Sequence, residues 1–129
     1  MLNPFYVSDN KDFILYKGDC IEIVQKLEQK FDMVFADPPY FLSNDGLTIN
    51  NGQIVSVNKG EWDRSYGIEF INSFNRKWLA KVREKMKEDA TIWISGAMHN
   101  IFSIGQILLE LDFKILNVIT WEKTNPPPN

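Results

Sequence analysis

Phe31 to Ala36 form an apolar run, FDMVFA, and the next four residues are Asp37-Pro38-Pro39-Tyr40. A continuous apolar run predicts a strand covered on both faces, as in the parallel sheets of α/β proteins. Two successive prolines fix φ and remove two backbone donors, so the strand must end there. The chain therefore places a carboxylate and an aromatic ring on a rigid corner. In α/β sheets ligands bind beyond the carboxyl ends of the strands.

The flanking segments agree with that class. Phe13 to Tyr16 is a short apolar run closed by Lys17-Gly18-Asp19, which reads as a strand and a turn. Ile21, Ile23, Val24 and Leu27 recur at helical spacing. Phe70 to Lys87 does the same through Ile71, Phe74, Trp78, Leu79, Val82 and Met86. Thr91 to Ser95 reads as a third strand, Asn100 to Leu111 as a helix, and Lys114 to Trp121 as a fourth strand. Strands alternating with helices predict an α/β fold with a mainly parallel sheet. Phe41 to Gly67 has little periodicity, and a loop that long is functional or disordered. Within it Asp45-Gly46 and Asn51-Gly52 read as tight turns, suggesting a mobile flap over the corner.

The corner has a chemical reading. The Asp37 carboxylate, a carbonyl left without a helical donor and the Tyr40 ring converge on one small volume. Together they suit a flat ligand with an exocyclic amino group: the acceptors take its N–H bonds and the ring stacks on its face. Acceptors aimed at both N–H groups favour a pyramidal nitrogen and stabilise the charge that develops on it. A nucleobase reaches such a pocket only by flipping out of a duplex. The plainer alternative, a proline-rich turn after a buried strand, stands beside this reading.

Asp37-Pro38-Pro39-Tyr40 resembles the D-P-P-Y motif of amino-methyltransferases that use S-adenosylmethionine. Other stretches extend the resemblance: Gly18-Asp19-Cys20, Trp62-Asp63, Phe74-Asn75-Arg76-Lys77-Trp78, Ile92-Trp93-Ile94-Ser95-Gly96, Ile115-Leu116-Asn117 and the closing run Trp121 to Asn129. Over nearly its whole length the chain resembles the β group of DNA adenine-N6 methyltransferases of restriction–modification systems. It looks nearest to members that methylate adenine in GATC.

That resemblance implies a Rossmann-like, circularly permuted methyltransferase sheet, with residues 1–129 as the N-terminal catalytic part. It implies S-adenosylmethionine as cofactor and double- or single-stranded DNA as partner. Asp37 and the Pro38 carbonyl would accept the amino hydrogens of the flipped adenine. Pro39 would hold the corner and Tyr40 would stack on the base. Asp19, Cys20 and Asp37 would face the cofactor. Phe41 and Trp62 in the long loop, and Lys123, Asn125 and Pro126 near the end, would lie on the DNA side. Transfer would be an in-line displacement at the sulfonium methyl, without a covalent enzyme intermediate.

The sequence also departs from the family. None of its seven glycines forms the G-x-G of the family's cofactor turn. The strands read here would correspond to the family's third, fourth, fifth and sixth. Neighbours are missing between the third and fourth, and between the fifth and sixth. The sheet is therefore expected to be incomplete, with unpaired edges and exposed apolar faces. A fragment of a longer protein, a chain completed by a second chain, and a decayed, catalytically silent remnant are all compatible with this. So is an interaction module, and similar motifs with Asn in place of Asp occur in RNA and protein amino-methyltransferases. The 129-residue chain alone is expected to be inactive.

Charge and composition narrow the classes further. Formal net charge is −3, which argues against a uniformly DNA-gripping surface. Arg76, Lys77, Lys81, Arg83, Lys85 and Lys87 form a candidate basic face or, more plainly, a solvated helix face. No apolar run approaches the roughly 18 residues of a membrane span, and no signal peptide is read at the start. Cys20 is the only cysteine, so no internal disulfide is expected and a cytoplasmic setting is the default. There is no Cys/His cluster with ligand spacing, so no metal site is expected. His99, the only histidine, reads as a helix-start residue, because amino-methylation gives it no clear task.

Overall fold

The computed structural model describes residues 2–43, 47–56, 58–122 and 124. Along the chain come β1 (Tyr6–Val7), β2 (Ile14–Leu15), α1 (Cys20–Lys26), β3 (Phe31–Ala36), β4 (Leu47–Asn50) and β5 (Gln53–Ser56). A short 3-10 helix at Glu61–Asp63 precedes α2 (Ile68–Lys85), β6 (Met86–Ile94) and α3 (Ile101–Glu110). β3 and β6 pair in parallel, with Val34 opposite Ile92, Phe35 opposite Trp93 and Ala36 opposite Ile94. β1–β2 and β4–β5 are separate antiparallel pairs. The architecture is mixed α/β around one parallel pair.

The helices follow from their apolar spacing. In α2, Ile71, Trp78 and Leu79 fall on one buried stripe, and in α3 Ile104 and Ile107 do. Trp78, Leu79, Ile104 and Ile107 form the core, and Ala36, Ile92 and Ile94 of the sheet pack against it. Burial of each large apolar side chain contributes roughly 1.5–3 kcal/mol. Polar groups inside this layer are paired. The buried Asn75 amide donates to Ser103 Oγ at 3.0 Å and its oxygen accepts from Trp78 Nε1 at 3.0 Å, while Ser103 Oγ donates to Asn72 Oδ1 at 2.6 Å. This chain of bonds fixes how α2 and α3 sit against each other.

Four expectations are corrected. β3 is covered on one face only: Met33, Phe35 and Trp93 lie exposed on the other, Phe35 at 70%. The helices that pack on the sheet all meet the face carrying Ala36 and Ile92, and no second layer is present among the described residues. Residues 114–122 form no strand, and Val118 and Trp121 are 84% and 86% exposed. A strand needs a neighbour for its N–H and C=O groups, and none stands beside this segment among the described residues. The Met86-Lys87 end read as helix is instead the start of β6. The long loop holds a hairpin, β4–β5, whose Asn51 and Gly52 have φ of 51° and 78°. Two successive left-handed residues are what a type I′ hairpin turn requires. The Asp45-Gly46 turn lies outside the described residues.

The basic stretch is largely engaged within the fold. Arg76 pairs with Glu110 at 2.7 Å, Lys81 with Glu84 at 3.1 Å and Lys87 with Asp32 at 2.7 Å. Lys85 donates to the Leu27 carbonyl, and Arg83 lies over the Phe113 ring. The plainer reading of a helix face therefore holds for most of it. No helix among the described residues is long and apolar enough to cross a membrane.

Candidate active site

The Asp-Pro-Pro-Tyr corner leaves β3 at its carboxyl end, next to the carboxyl end of β6. Pairing of Ala36 with Ile94 brings Ser95 beside Asp37. The Ser95 N–H donates to the Ala36 carbonyl at 2.9 Å, extending the ladder by one bond. The Ser95 hydroxyl donates to Asp37 Oδ1, and the Tyr40 hydroxyl donates to the same oxygen at 2.7 Å. The Ser95 bond and then the Tyr40 bond hold the Asp37 carboxyl below the usual carboxylate range. For Tyr40, the neighbouring Ser95 hydroxyl lowers the pKa, but burial and the Asp37 charge outweigh it and the phenol is raised overall. At neutral pH the pair is thus a carboxylate and a protonated phenol.

The corner is braced on two sides. The Pro39 carbonyl accepts from Asn100 Nδ2 at 3.1 Å, and Asn100 Oδ1 accepts from the Ala97 N–H at 2.9 Å. Asn100 is buried at the start of α3, and Gly96 permits this approach: a Cβ there would lie 3.0 Å from Asn100 Oδ1 and 2.9 Å from Ile101. On the other side stands Asp63, only 1% exposed. Its carboxylate accepts from the N–H groups of Phe41 at 2.8 Å, Leu42 at 3.1 Å and Ser43 at 3.1 Å, and from the Ser43 hydroxyl at 3.0 Å. Prolines leave this exit without a regular ladder, and one buried carboxylate supplies the acceptors instead.

The expected site residues are not all brought together. Asp37, Pro38, Pro39 and Tyr40 share the corner. Phe41, expected on the DNA side, turns inward instead: it is 4% exposed, has φ of 57°, and meets Phe70 and Phe74 edge-to-face at 6.0 and 5.6 Å. It anchors the corner to α2. Trp62 is 63% exposed and lies against Gly60, where a Cβ would fall 2.8 Å from the indole Nε1. Asp19 caps α1, its Oδ1 accepting from the Ile21 and Glu22 N–H groups at 2.9 and 3.0 Å. Burial and then the Asp19 charge push the Cys20 thiol up, which keeps it protonated. His99 is exposed in the turn before α3. Lys123, Asn125 and Pro126 lie outside the described residues.

Three supporting residues were not singled out from the sequence as part of this site: Ser95, Asn100 and Lys59. Ser95 follows directly from strand pairing. Asn100 is read from the sequence only as the first residue of a helix, and its carbonyl partner lies 61 residues away. Lys59 is the third. Its N–H donates to Ser43 Oγ at 2.7 Å, and its ammonium lies 5.8 Å from the centre of the Tyr40 ring.

A model of the DNA methylase family matches residues 31–129. M2.MboI, a Type II methyltransferase of Moraxella bovis, is 55% identical over 129 residues, which is 99% of this chain and 47% of the relative. M2.DpnII, a Type II methyltransferase of Streptococcus pneumoniae, is 49% identical over 130 residues, 100% of this chain and 48% of the relative. M2.LlaDCHI, from Lactococcus lactis subsp. cremoris, is 48% identical with the same coverage. The chain spans about half the length of these curated relatives. With the corner, its braces and these likenesses together, the chain belongs to the DNA methylase family.

Proposed function

We propose that the chain supplies the base-facing part of a methyltransferase acting on N6 of adenine in DNA. The target would be a flipped adenine in a short palindrome such as GATC, and S-adenosylmethionine the methyl donor. Residues 1–129 would be the N-terminal catalytic part of a circularly permuted, Rossmann-like domain.

One observation carries this reading. The Asp37 carboxylate is fixed through one oxygen by two hydroxyl donors. Its other oxygen accepts no hydrogen bond among the described residues. The Pro39 carbonyl is engaged by Asn100, whereas the Pro38 carbonyl accepts none among the described residues. The two acceptors that an amino group needs are therefore the open Asp37 oxygen and the Pro38 carbonyl. Asp37 stays ionised, so it can only accept from the amine, which disfavours delocalisation of the nitrogen lone pair. The Tyr40 ring offers a stacking face beside them. After transfer the nitrogen carries the positive charge, and Asp37 stabilises it until a proton leaves to solvent.

The donor's fit is partial. Asp19 has one oxygen on the α1 cap, and its second accepts no bond among the described residues, which suits a hydroxyl of the adenosyl part. Bound there, the donor would supply an electrophilic sulfonium methyl. No G-x-G cradle for its methionine part occurs in the sequence, so the 129 residues by themselves are expected to transfer no measurable methyl.

The test is product identity. Full-length protein is incubated with the donor and a GATC duplex, and the nucleosides are separated by mass. N6-methyl-deoxyadenosine is the expected product. Methylcytosine, or methyl found only on RNA or protein acceptors, would overturn the proposal.

A further inference from the structure

The Lys59 ammonium sits over the Tyr40 ring, at 5.8 Å from its centre, within the range of a cation–π contact. It also adds to the forces that hold Asp37 ionised. Its position is built rather than incidental. The Lys59 N–H donates to Ser43 Oγ at 2.7 Å, and that hydroxyl donates to the buried Asp63 carboxylate at 3.0 Å. The same carboxylate holds the backbone directly after Tyr40, through the N–H groups of Phe41, Leu42 and Ser43. Lys59 and Tyr40 are thus tied to one anchor, 19 residues apart in sequence but fixed in one frame.

Four cations of the basic stretch differ from it, whereas Lys17 and Arg83 also lie over rings, those of Phe5 and Phe113. Arg76, Lys81 and Lys87 are each held by a carboxylate, and Lys85 by a carbonyl. Lys59 makes no ion pair among the described residues, and its partner is an aromatic face. A cation–π contact at a partly exposed site is worth about 0.5–1 kcal/mol, weak enough to be exchanged. An incoming nucleotide brings both a flat base for the ring and a phosphate for the ammonium.

We propose that Lys59 is a positioning residue for the target nucleotide: it covers the Tyr40 face when the site is empty, and passes to that nucleotide's phosphate when the base stacks. This rests on the adenine-methyltransferase reading above. It adds to that reading a second recognition element, for the backbone of the very nucleotide that flips.

The experiment uses full-length protein and a GATC duplex with 2-aminopurine at the target position. Dissociation constants are measured across a salt series for wild type, Lys59→Met and Lys59→Arg. Neutralising one phosphate contributes about 0.9 to the slope of log affinity against log salt. Lys59→Met is expected to lower that slope by about one, to raise the KM for DNA more than it lowers kcat, and to weaken the 2-aminopurine signal of the flipped base. Lys59→Arg is expected to restore the slope. A loop-packing role alone would leave the slope of Lys59→Met unchanged. That result, with wild type still methylating adenine, would overturn the Lys59 proposal alone. Failure of wild type to methylate adenine would overturn both.

Discussion

At the scale of single residues, two carboxylates divide the work of the corner. Asp37 is exposed and faces the proposed substrate, while Asp63 is buried and faces the backbone. Asp37 is held low chiefly by the Ser95 hydroxyl. Its active, ionised form is therefore lost only as pH falls through a depressed pKa. Ser95→Ala removes the largest of the lowering interactions. The acid limb of the methyl-transfer profile is expected to move to higher pH, with the rate at neutral pH falling about tenfold from lost orientation. An unmoved acid limb would show that Ser95 does not tune Asp37. Asp63 behaves differently, because it is buried and gathers three backbone N–H groups and the Ser43 hydroxyl, and the Phe41 and Leu42 N–H groups have no other acceptor among the described residues. Asp63→Asn places an amide donor against some of them and is expected to cost about 3 kcal/mol, read from the denaturation midpoint. A loss within 0.5 kcal/mol, about the size of an ordinary surface change, would contradict the clamp.

At the scale of elements, the helices and central strands were legible and the connections were not. Ile71, Trp78 and Leu79 announce α2 by spacing alone, and FDMVFA announces β3. The β4–β5 strands share no clear alternation in the sequence, although the Asn51-Gly52 turn between them is readable. Lys114 to Trp121 has strand composition but forms no strand, since propensity cannot supply a partner. Its backbone amides over residues 114–122 are expected to exchange with deuterium within minutes, while those of β3 and β6 are slow. Equal protection of the two would mean that the segment is paired. The α2–α3 contact gives a second check. Asn75→Ala leaves the Trp78 indole N–H without its acceptor, removes one of the two bonds of Ser103 Oγ, and is expected to cost about 2 kcal/mol.

At the scale of the whole molecule, the sheet is covered on one face only among the described residues. Met33, Phe35 and Trp93 form an apolar face opposite the helices. Such a face, uncovered, promotes association between copies. The 129-residue chain is expected to self-associate at micromolar concentration, and Phe35→Lys with Trp93→Lys to reduce this, as seen by sedimentation. A monomeric wild-type chain would contradict the inference. The site shows the same division between local and distant information. Asp37 to Tyr40 were readable as a unit because the prolines fix them locally. The braces from Asp63 and Asn100 were not readable as such, because their partners are 20 to 22 and 61 residues distant in sequence. Phe41, expected on the DNA side, faces α2 because its positive φ turns the chain inward immediately after Tyr40.

In the proposed reaction the Asp37 carboxylate accepts a hydrogen bond from the amino group that is methylated. Single-turnover methyl transfer to a GATC duplex, compared between full-length wild type and Asp37→Ala, tests it most directly. Asp37 is exposed and its two hydroxyl donors can turn to water, so the variant is expected to fold with only a small loss of stability. A rate loss of about 100- to 1,000-fold is expected, the loss typical when one preorganised hydrogen-bond partner of a transition state is removed. A properly folded Asp37→Ala protein that retains transfer within a few-fold of wild type would contradict this role of Asp37.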